Sequence, residues 1–326
     1  MSRFDPLSPQ AVVAAVEAFS GLRLDGSLEP YNSYINRVYG LRDETGRGWV
    51  AKFYRPGRWD ETALEEEHAF LADCAAADLP VARPWSVDGQ TLGELAVPTP
   101  RGDVSFFFAL FEKKGGRSFD AEAENDWRRL GGLLGRLHRV GRQRHFHRRP
   151  VFTPEATLVP QIAELRALVH PDLSREFETV LVPAARSLTG LFGRGTLQRI
   201  HGDVHRGNIL DRPGEGLLLM DFDDCAWGPP VQDLWLLLPG RREDCAREIA
   251  LLSEGYGEFS PKEALDWNAV EALRLMRMVH FLTWCARQRG DRGFERTFPD
   301  WGSKAFWIRE LESLREQVEH LQREDA

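Results

Sequence analysis

The sequence predicts an α+β protein with two lobes, and three features of the 326-residue chain support this. Segments rich in aromatic and β-branched residues, which favour strands, dominate the first 111 positions. A glycine-containing polar stretch, KKGGRSF, follows the last of these segments. Beyond it, apolar residues recur mainly at helical spacing. We therefore expect a sheet-rich N-terminal lobe over residues 1–111, a hinge over 112–116 and a helical C-terminal lobe over 117–326, with a ligand in the cleft between the lobes.

The first lobe is expected to combine helices with strands. Ser8 is placed to cap a helix over 8–19, with proline at its first position. The segments YINRVYGL and WVAKFYR predict two strands joined by the polar turn RDETGRG. A second helix is expected from Asp60 through DETALEEEHAFLADC, and SFFFALF predicts a buried strand at 105–111.

The second lobe is expected to be mostly helical. The stretch DAEAENDWRRLGGLLGRLHRVG forms a helix in this prediction, with Trp127 and four leucines on one stripe and Gly141 as a stop signal. Residues 197–222 are the exception, because two short apolar strands surround a polar motif there. Further helices are predicted near 160–169, 174–190, 231–238, 241–256, 262–289 and 303–322.

Composition excludes several classes of protein. The net charge of −8 argues against a general nucleic-acid or membrane-surface binder, which would carry a basic excess. The four cysteines are far apart and form no C-x-x-C pair, so neither a zinc site nor a disulfide framework is expected. The N-terminus lacks a signal-peptide pattern, and no apolar run reaches the ~18 residues that a membrane span needs. We expect a cytoplasmic monomer that binds neither nucleic acid nor membrane.

The most informative stretch is LQRIHGDVHRGNIL, residues 197–210. It could be an ordinary surface turn, since Gly-Asp and Gly-Asn pairs occur in many turns. However, it supplies a carboxylate, Asp203, and an amide, Asn208, and the later strand LLLMDFDD presents Asp221 at its polar end. Phosphoryl transfer needs one carboxylate at the nucleophile's proton and oxygen ligands for Mg²⁺. The Asp-to-Asn spacing equals that of the kinase catalytic loop H-R-D-L-x-x-x-N, and Asp221 corresponds to the aspartate of D-F-G.

The same chemistry requires a cation at the remaining phosphates. Lys52 in WVAKFYR matches the V-A-I-K strand of kinases. Glu66 or Glu67 in the following helix could pair with it, and the spacing to Leu71 favours Glu67. Each element is weak alone, because an E-E-E run is usually a solvated helix face. Together, four elements in the right order predict a phosphotransferase site.

These motifs resemble the choline-kinase and aminoglycoside-phosphotransferase family of the protein-kinase-like fold, whose loop reads H-G-D-x-H-x-x-N. More narrowly, a bacterial branch of that family, taken to be serine/threonine protein kinases of the stress response, is similar over nearly the whole chain. The segments that carry this resemblance are PYNSYINRVYGL, VAKFYRPGRW, EEEHAF, HGDVHRGNIL, MDFDD and GPPVQDLWLLL.

The resemblance implies a two-lobed kinase-like fold, ATP and Mg²⁺ as cofactors, and protein acceptors with serine or threonine hydroxyls, including the chain itself. It implies that Asp203 is the proton acceptor and that Asn208 and Asp221 bind Mg²⁺, Asp221 being counted with Asp203 as catalytic. Lys52 with Glu67 and Ser33 would contact the ATP phosphates. His205 would either donate a hydrogen bond to the transferring phosphate or hold the loop in shape.

The sequence also departs from ordinary protein kinases. The turn EPYNSYINR lacks G-x-G-x-x-G, so Asn32, Ser33 and backbone amides would have to cover the phosphates. Gly202 replaces the arginine of H-R-D and no A-P-E follows, which argues against activation by a phosphorylated loop. We expect His201 and Asp233 to brace the catalytic loop. Asp223 could face the substrate or assist the metal, and Asp224 is expected to act as a helix cap.

Three other functions compete with a protein kinase. A kinase of a small alcohol, such as homoserine, choline or an aminoglycoside, would use the same catalytic residues. A cation–π cage for such a substrate could form from tryptophans, although packing in a helical core explains them better; these are Trp227, Trp235, Trp267 and Trp284. A metallophosphatase is disfavoured because its G-N-H motif is missing, and a pseudokinase because the lysine, the base and the metal ligands are present.

Overall fold

The structure is a computed structural model that describes residues 4–100, 102–291 and 293–324. The chain forms two compact units. The first comprises the chain up to Phe119 together with Arg206–Asp223, and the second comprises Asp120–His205 and the chain from Asp224 onward. Residues 206–223, which the sequence analysis assigns to the helical lobe, therefore group with the sheet-rich unit; the expected lobe boundaries and the hinge at 112–116 stay predictions.

The first unit contains the predicted strands and helices, and adds strands that the sequence analysis did not identify. Its elements are α1 (Pro9–Ser20), β1 (Leu24–Tyr31), β2 (Arg37–Asp43), β3 (Gly48–Phe53), α2 (Glu61–Ala76), β4 (Gly93–Val97), β5 (Val104–Glu112) and β6 (Arg117–Ser118), followed by β8 (Ile209–Arg212) and β9 (Gly216–Leu219). Ser8 caps α1 by accepting from the amide of Ala11 at 3.2 Å, and Asp60 caps α2 by accepting from Ala63 at 2.9 Å. Both predicted helix starts are confirmed.

An antiparallel sheet in the order β1-β2-β3-β5-β4 forms the centre of this unit. Its core face packs Phe53 on β3 against Phe108 on β5, with ring centroids 4.8 Å apart. Strand β1 was not predicted, because its sequence LDGSLEPY contains residues that disfavour strands. Backbone pairing with β2 holds this segment extended, although its residue types do not favour a strand.

The hairpin β8–β9 continues the motif stretch and lies in the first unit. Ile209 pairs with Leu219, and the amide of Met220 donates to the carbonyl of Asn208 at 3.0 Å. Leu219 also exchanges backbone hydrogen bonds with the segment after α2, to Pro80 and from Ala82. These bonds fix the two ends of the hairpin, so Asn208 and the residue before Asp221 are neighbours.

The second unit is helical, as predicted. Its elements are α3 (Glu124–Gly141), α4 (Val159–Arg166), α5 (Ser174–Ser187), β7 (Gln198–Ile200), β10 (Ala226–Gly228), α6 (Gln232–Trp235), α7 (Ala246–Gly257), α8 (Val270–Gln288), α9 (Phe294–Thr297) and α10 (Lys304–Glu324). Most of the predicted helices are shorter than expected. The segment 231–238 forms helix only over α6, and 3₁₀ turns precede α7 and α8.

Helix α3 buries its predicted apolar stripe and crosses α7 at very short range. A Cβ atom added at Gly131 would overlap the carbonyl oxygen of Leu252, and one added at Gly255 would overlap that of Arg128. Glycine is therefore required on both helices for this contact. Elsewhere in the unit, α4, α5, α8 and α10 bury a shared apolar core that includes Trp307 and Phe177. No helix of the described residues is both long enough and apolar enough to cross a membrane.

Candidate active site

In the first unit, Lys52 lies among three carboxylates. Its side chain on β3 is 9% exposed, and its Nζ lies 2.8 Å from Asp221 Oδ1, 3.4 Å from Asp223 Oδ1 and 3.9 Å from Glu67 Oε1. Burial by itself would lower the pKa of Lys52, but the charges of Asp221, Asp223 and Glu67 outweigh burial and hold the pKa well above its ordinary value of 10.5. The lysine is therefore a permanent cation at neutral pH.

Glu67 is the helix glutamate that the structure brings to Lys52, as the spacing suggested. It is buried on α2. The hydroxyl of Tyr54 donates to Glu67 Oε1 at 3.3 Å and also lies 2.9 Å from His68 Nε2. His68 Nδ1 in turn lies 2.8 Å from the hydroxyl of Thr91. Sequence reasoning missed Tyr54, although it stands two positions after Lys52, where strand alternation returns a side chain to the same face.

Asp221 and Asn208 supply oxygen atoms at the end of the β8–β9 hairpin. Asp221 has a left-handed backbone, with φ 63°, and a side chain that is 54% exposed. Asn208 ends a 3₁₀ turn over Arg206–Asn208 and is buried. The described residues contain no group of three or more His, Cys, Asp or Glu that could hold a metal ion. One carboxylate and one amide oxygen nevertheless fit Mg²⁺, which keeps several waters and phosphate oxygens as its other ligands.

Two further predicted residues of the first unit have defined positions. Asp223, for which a place at the substrate or the metal was left open, is buried and accepts from Arg58 Nη1 at 2.6 Å as well as facing Lys52. Ser33 lies half-buried in the connection between β1 and β2. Its contact with the ATP phosphates stays a prediction.

In the second unit, the catalytic loop follows β7 and is braced by Asp233. Gly202 has φ 88°, and a Cβ there would overlap the carbonyl oxygen of Asp224, so only glycine fits. Asp233 Oδ2 accepts from the amide of His201 at 2.8 Å, and its Oδ1 accepts from the amide of Gly202 at 2.7 Å. The predicted bracing of the loop by Asp233 is confirmed.

Sequence reasoning missed two buried residues, His138 and Tyr256, that connect to Asp233. His138 on α3 places Nε2 3.0 Å from Asp233 Oδ2 and Nδ1 3.1 Å from the hydroxyl of Tyr256 on α7. All three side chains are buried. Burial raises the pKa of Tyr256 to about 12, so its hydroxyl stays protonated. The available signal was the position of His138 on the apolar stripe of α3, where a buried polar group needs a partner.

Asp203 contacts charged and polar groups through both its backbone and its side chain. Its backbone amide donates to His201 Nδ1 at 3.3 Å, which confirms that His201 braces the loop. Its Oδ2 lies 3.6 Å from His205 Nε2. Its Oδ1 accepts from Arg277 Nη1 at 2.8 Å. The His205 contact suits a loop-shaping role, and a hydrogen bond from His205 to phosphate stays a prediction.

Arg277 is the charged residue at this loop that sequence reasoning missed. It belongs to α8 and is 74 positions from Asp203 along the chain, so no local spacing connects them. The predicted catalytic residue therefore has a cationic neighbour that none of the motifs contains.

The tryptophans considered for a cation–π cage have separate surroundings. Trp235 is buried in the helical core, with the guanidinium of Arg274 5.1 Å from its ring centroid. Trp267 packs against that core and donates to Ser253 at 3.0 Å. Trp227 contacts the ring of His145, and Trp284 stacks on Phe281. Core packing accounts for Trp235 and Trp267, as the simpler interpretation expected.

Comparison with known proteins gives consistent results. The model of the phosphotransferase enzyme family matches residues 27–273. Stress response kinase A of Escherichia coli is 35% identical over 322 residues, and the alignment covers 98% of this chain and 95% of that protein. A protein named serine/threonine protein kinase RdoA, from Salmonella typhimurium, is 34% identical over 332 residues, covering 98% and 94% of the two chains. The resemblance seen in the motifs is confirmed.

Solved structures of kinases share the fold. An amicoumacin kinase in complex with AMP-PNP, Ca²⁺ and Ami aligns with a TM-score of 0.70 at 19% identity, covering 97% of this chain and 94% of the other. Choline kinase LicA from Streptococcus pneumoniae aligns with a TM-score of 0.61 at 13% identity, covering 95% and 98%. The predicted choline-kinase and aminoglycoside-phosphotransferase type of fold is thereby confirmed. The match to the phosphotransferase enzyme family agrees with the sequence argument against a metallophosphatase.

Proposed function

The chain belongs to the phosphotransferase enzyme family, and on that premise we propose that it is an ATP- and Mg²⁺-dependent protein kinase that phosphorylates serine or threonine hydroxyls in a bacterial stress response. The observation that supports this choice of acceptor is the similarity, over nearly the full chain, to relatives named as a stress response kinase and a serine/threonine protein kinase. The cytoplasmic location and the monomeric state expected from the sequence stay predictions.

The first unit holds ATP in this proposal. Lys52, kept charged by Asp221, Asp223 and Glu67 and oriented by Glu67 on α2, contacts the phosphates, and Ser33 covers them from the turn after β1. Asn208 and Asp221 would hold Mg²⁺, which when bound adds positive charge that stabilises the charge developing on the transferred phosphoryl group. Asp221 pairs with Lys52 through Oδ1, and its half-exposed side chain would offer a carboxylate oxygen to the metal.

The second unit supplies the proton acceptor. Asp203 orients the acceptor hydroxyl and takes its proton while a bond forms between the hydroxyl oxygen and the γ-phosphorus. The bond between the γ-phosphorus and the oxygen that bridges to the β-phosphate breaks, and ADP leaves. Asp233 acts through the loop: its two hydrogen bonds to the backbone hold the carboxylate of Asp203 in position.

A kinase of a small alcohol is the second candidate. Asp203 would orient a choline, homoserine or aminoglycoside hydroxyl equally well, and the solved kinases of amicoumacin and choline have the same fold. The two candidates differ only in the acceptor that becomes labelled.

The test uses γ-labelled ATP and Mg²⁺ with each acceptor offered separately: the chain itself, a generic basic protein, homoserine, choline and an aminoglycoside. We expect acid-stable phosphoserine or phosphothreonine on protein. The Asp203→Ala variant serves as the control for contaminating kinases. Label found only on a small alcohol would overturn the protein-kinase proposal, and label on no acceptor would overturn both candidates.

A further inference from the structure

Arg277 is placed to select the acceptor. Its Nη1 donates to Asp203 Oδ1 at 2.8 Å, and Asp203 is its one hydrogen-bond partner among the described residues. A guanidinium carries five N–H donors, so four remain available to a further group. The Arg277 side chain is 41% exposed and that of Asp203 22%, which means that an incoming molecule can reach the arginine beside the carboxylate.

Arg277 differs from the other arginines on or near α8 in the carboxylate with which it pairs. Arg241 and Arg274 both pair with the buried Glu271, at 3.0 and 3.2 Å, so a structural carboxylate neutralises them. Arg287 pairs with Glu164 at 2.7 Å on the surface. Arg277 instead shares the carboxylate that the mechanism assigns to the acceptor's proton. Its guanidinium therefore lies directly beside the group that would receive the hydroxyl proton.

The same side of α8 continues with an aromatic cluster, of which Phe281 is exposed. Phe281, one turn after Arg277, is 45% exposed and stacks on Trp284, with centroids 6.1 Å apart and the ring planes 14° from parallel. Phe298 packs edge-on against both rings at 6.2 and 6.4 Å. Aromatic side chains provide rigid contact area for a peptide at low entropic cost. A cation beside an aromatic platform suits an extended chain better than a small alcohol.

On the premise of the proposed function, we propose that Arg277 is the specificity-determining residue for an acidic peptide acceptor. It binds a carboxylate of an Asp or Glu next to the target serine or threonine, and so places the hydroxyl at Asp203. The planar guanidinium can bind a carboxylate through two N–H groups while its Nη1 stays on Asp203. Arg277 exchanges no proton: the hydroxyl proton goes to Asp203, and the arginine stays charged throughout.

The experiment compares three peptides that contain one serine and differ only in its two neighbours, which are Asp, Asn or Lys. We measure kcat and KM for each with wild type, Arg277→Gln and Arg277→Lys. Arg287→Gln, an exposed arginine of the same helix with its own carboxylate partner, is the matched control. Thermal unfolding checks that each variant folds.

We expect wild type and Arg287→Gln to prefer the acidic peptide over the neutral one by about tenfold or more in kcat/KM, as for a hydrogen bond between charged groups. Arg277→Gln should lose the preference, mainly through KM, and Arg277→Lys should keep part of it. Equal use of the three peptides by wild type, an unchanged preference in Arg277→Gln, or an equal loss on all three peptides would each overturn the inference alone. If no peptide is labelled while a small alcohol is, the proposed function is wrong and the inference with it.

Discussion

Lys52 and Asp221 form the shortest ion pair around that lysine, with Nζ 2.8 Å from Oδ1, compared with 3.4 Å to Asp223 and 3.9 Å to Glu67. The pair joins the proposed phosphate-binding cation to a proposed metal ligand. Asp221 is also the residue of this group with a left-handed backbone, which a non-glycine residue adopts only at some cost. The carboxylate of this proposed metal ligand is therefore paired with Lys52 and yet half-exposed.

Asp221→Asn should weaken Mg²⁺-dependent ATP binding by at least tenfold. Removing a partner behind a metal ligand costs about 10–100-fold in affinity, and loss of a ligand's charge should cost no less. The measurement is a Mg²⁺ titration of ATP binding by calorimetry. Asp172→Asn, an exposed aspartate paired with Lys304, is the control. An unchanged titration in Asp221→Asn would refute the assignment.

Glu67→Gln should lower turnover more than Glu66→Gln. Glu67 is buried beside Lys52 and accepts a hydrogen bond from the Tyr54 hydroxyl. Loss of its negative charge should therefore disturb the orientation of the lysine. Steady-state kcat and KM for ATP test this. If Glu66→Gln proves the more damaging substitution, the partner of Lys52 during catalysis is Glu66, and the fold assignment is unaffected.

Asp203→Asn should lower phosphoryl transfer by a factor of about 10²–10⁴, the usual contribution of a general base. Binding of ATP should be unchanged, because Asp203 is not among the residues proposed to hold the nucleotide or its metal. A single-turnover assay separates chemistry from product release, and calorimetry measures the binding. Near-wild-type transfer by the variant would remove Asp203 from the mechanism.

Asp233→Asn should destabilise the second unit and slow turnover together. The carboxylate accepts from two loop amides and faces His138, whereas an amide group would turn an N–H₂ toward one of these donors. Leaving a buried donor unsatisfied costs about 1–3 kcal/mol. Urea unfolding measures the free energy of unfolding, with Asp172→Asn as a surface control. An unfolding free energy equal to that of wild type would show that the loop does not depend on this carboxylate.

Asp43 should contribute stability that is lost in acid. A hydrogen bond from the Thr45 hydroxyl, together with one from the indole of Trp49 and the amides of Arg47 and Thr45, lowers the pKa of Asp43 from 3.8 to about 2. Because the folded-state pKa is the lower one, this stability is complete above pH 3.8 and disappears as the pH falls through about 2. The difference in unfolding free energy between wild type and Asp43→Asn, measured from pH 5 to pH 2, should therefore shrink in acid. A constant difference would contradict the prediction.

The sequence by itself determined the order of the site motifs along the chain and the chemical groups that each motif supplies. Asp203 and Asn208 are five positions apart in one loop, and Lys52 stands in a strand pattern that kinases share, so both could be identified from spacing. The helix cap Ser8 was equally predictable, because a cap acts within three residues of its own position. Strand β1 was not, since its pairing with β2 outweighs a composition that disfavours strands.

Only the tertiary structure decided which distant side chains contact these motifs. Arg277 reaches Asp203 across 74 positions, and His138 reaches Asp233 across 95. His138 lies on α3, Asp233 on α6 and Arg277 on α8, so these contacts arise from packing within the second unit, and no local spacing connects the partners in the sequence. Partners a few residues apart can be predicted from their spacing in the sequence. Partners that meet through helix packing depend on the positions of whole helices, which one sequence does not give directly.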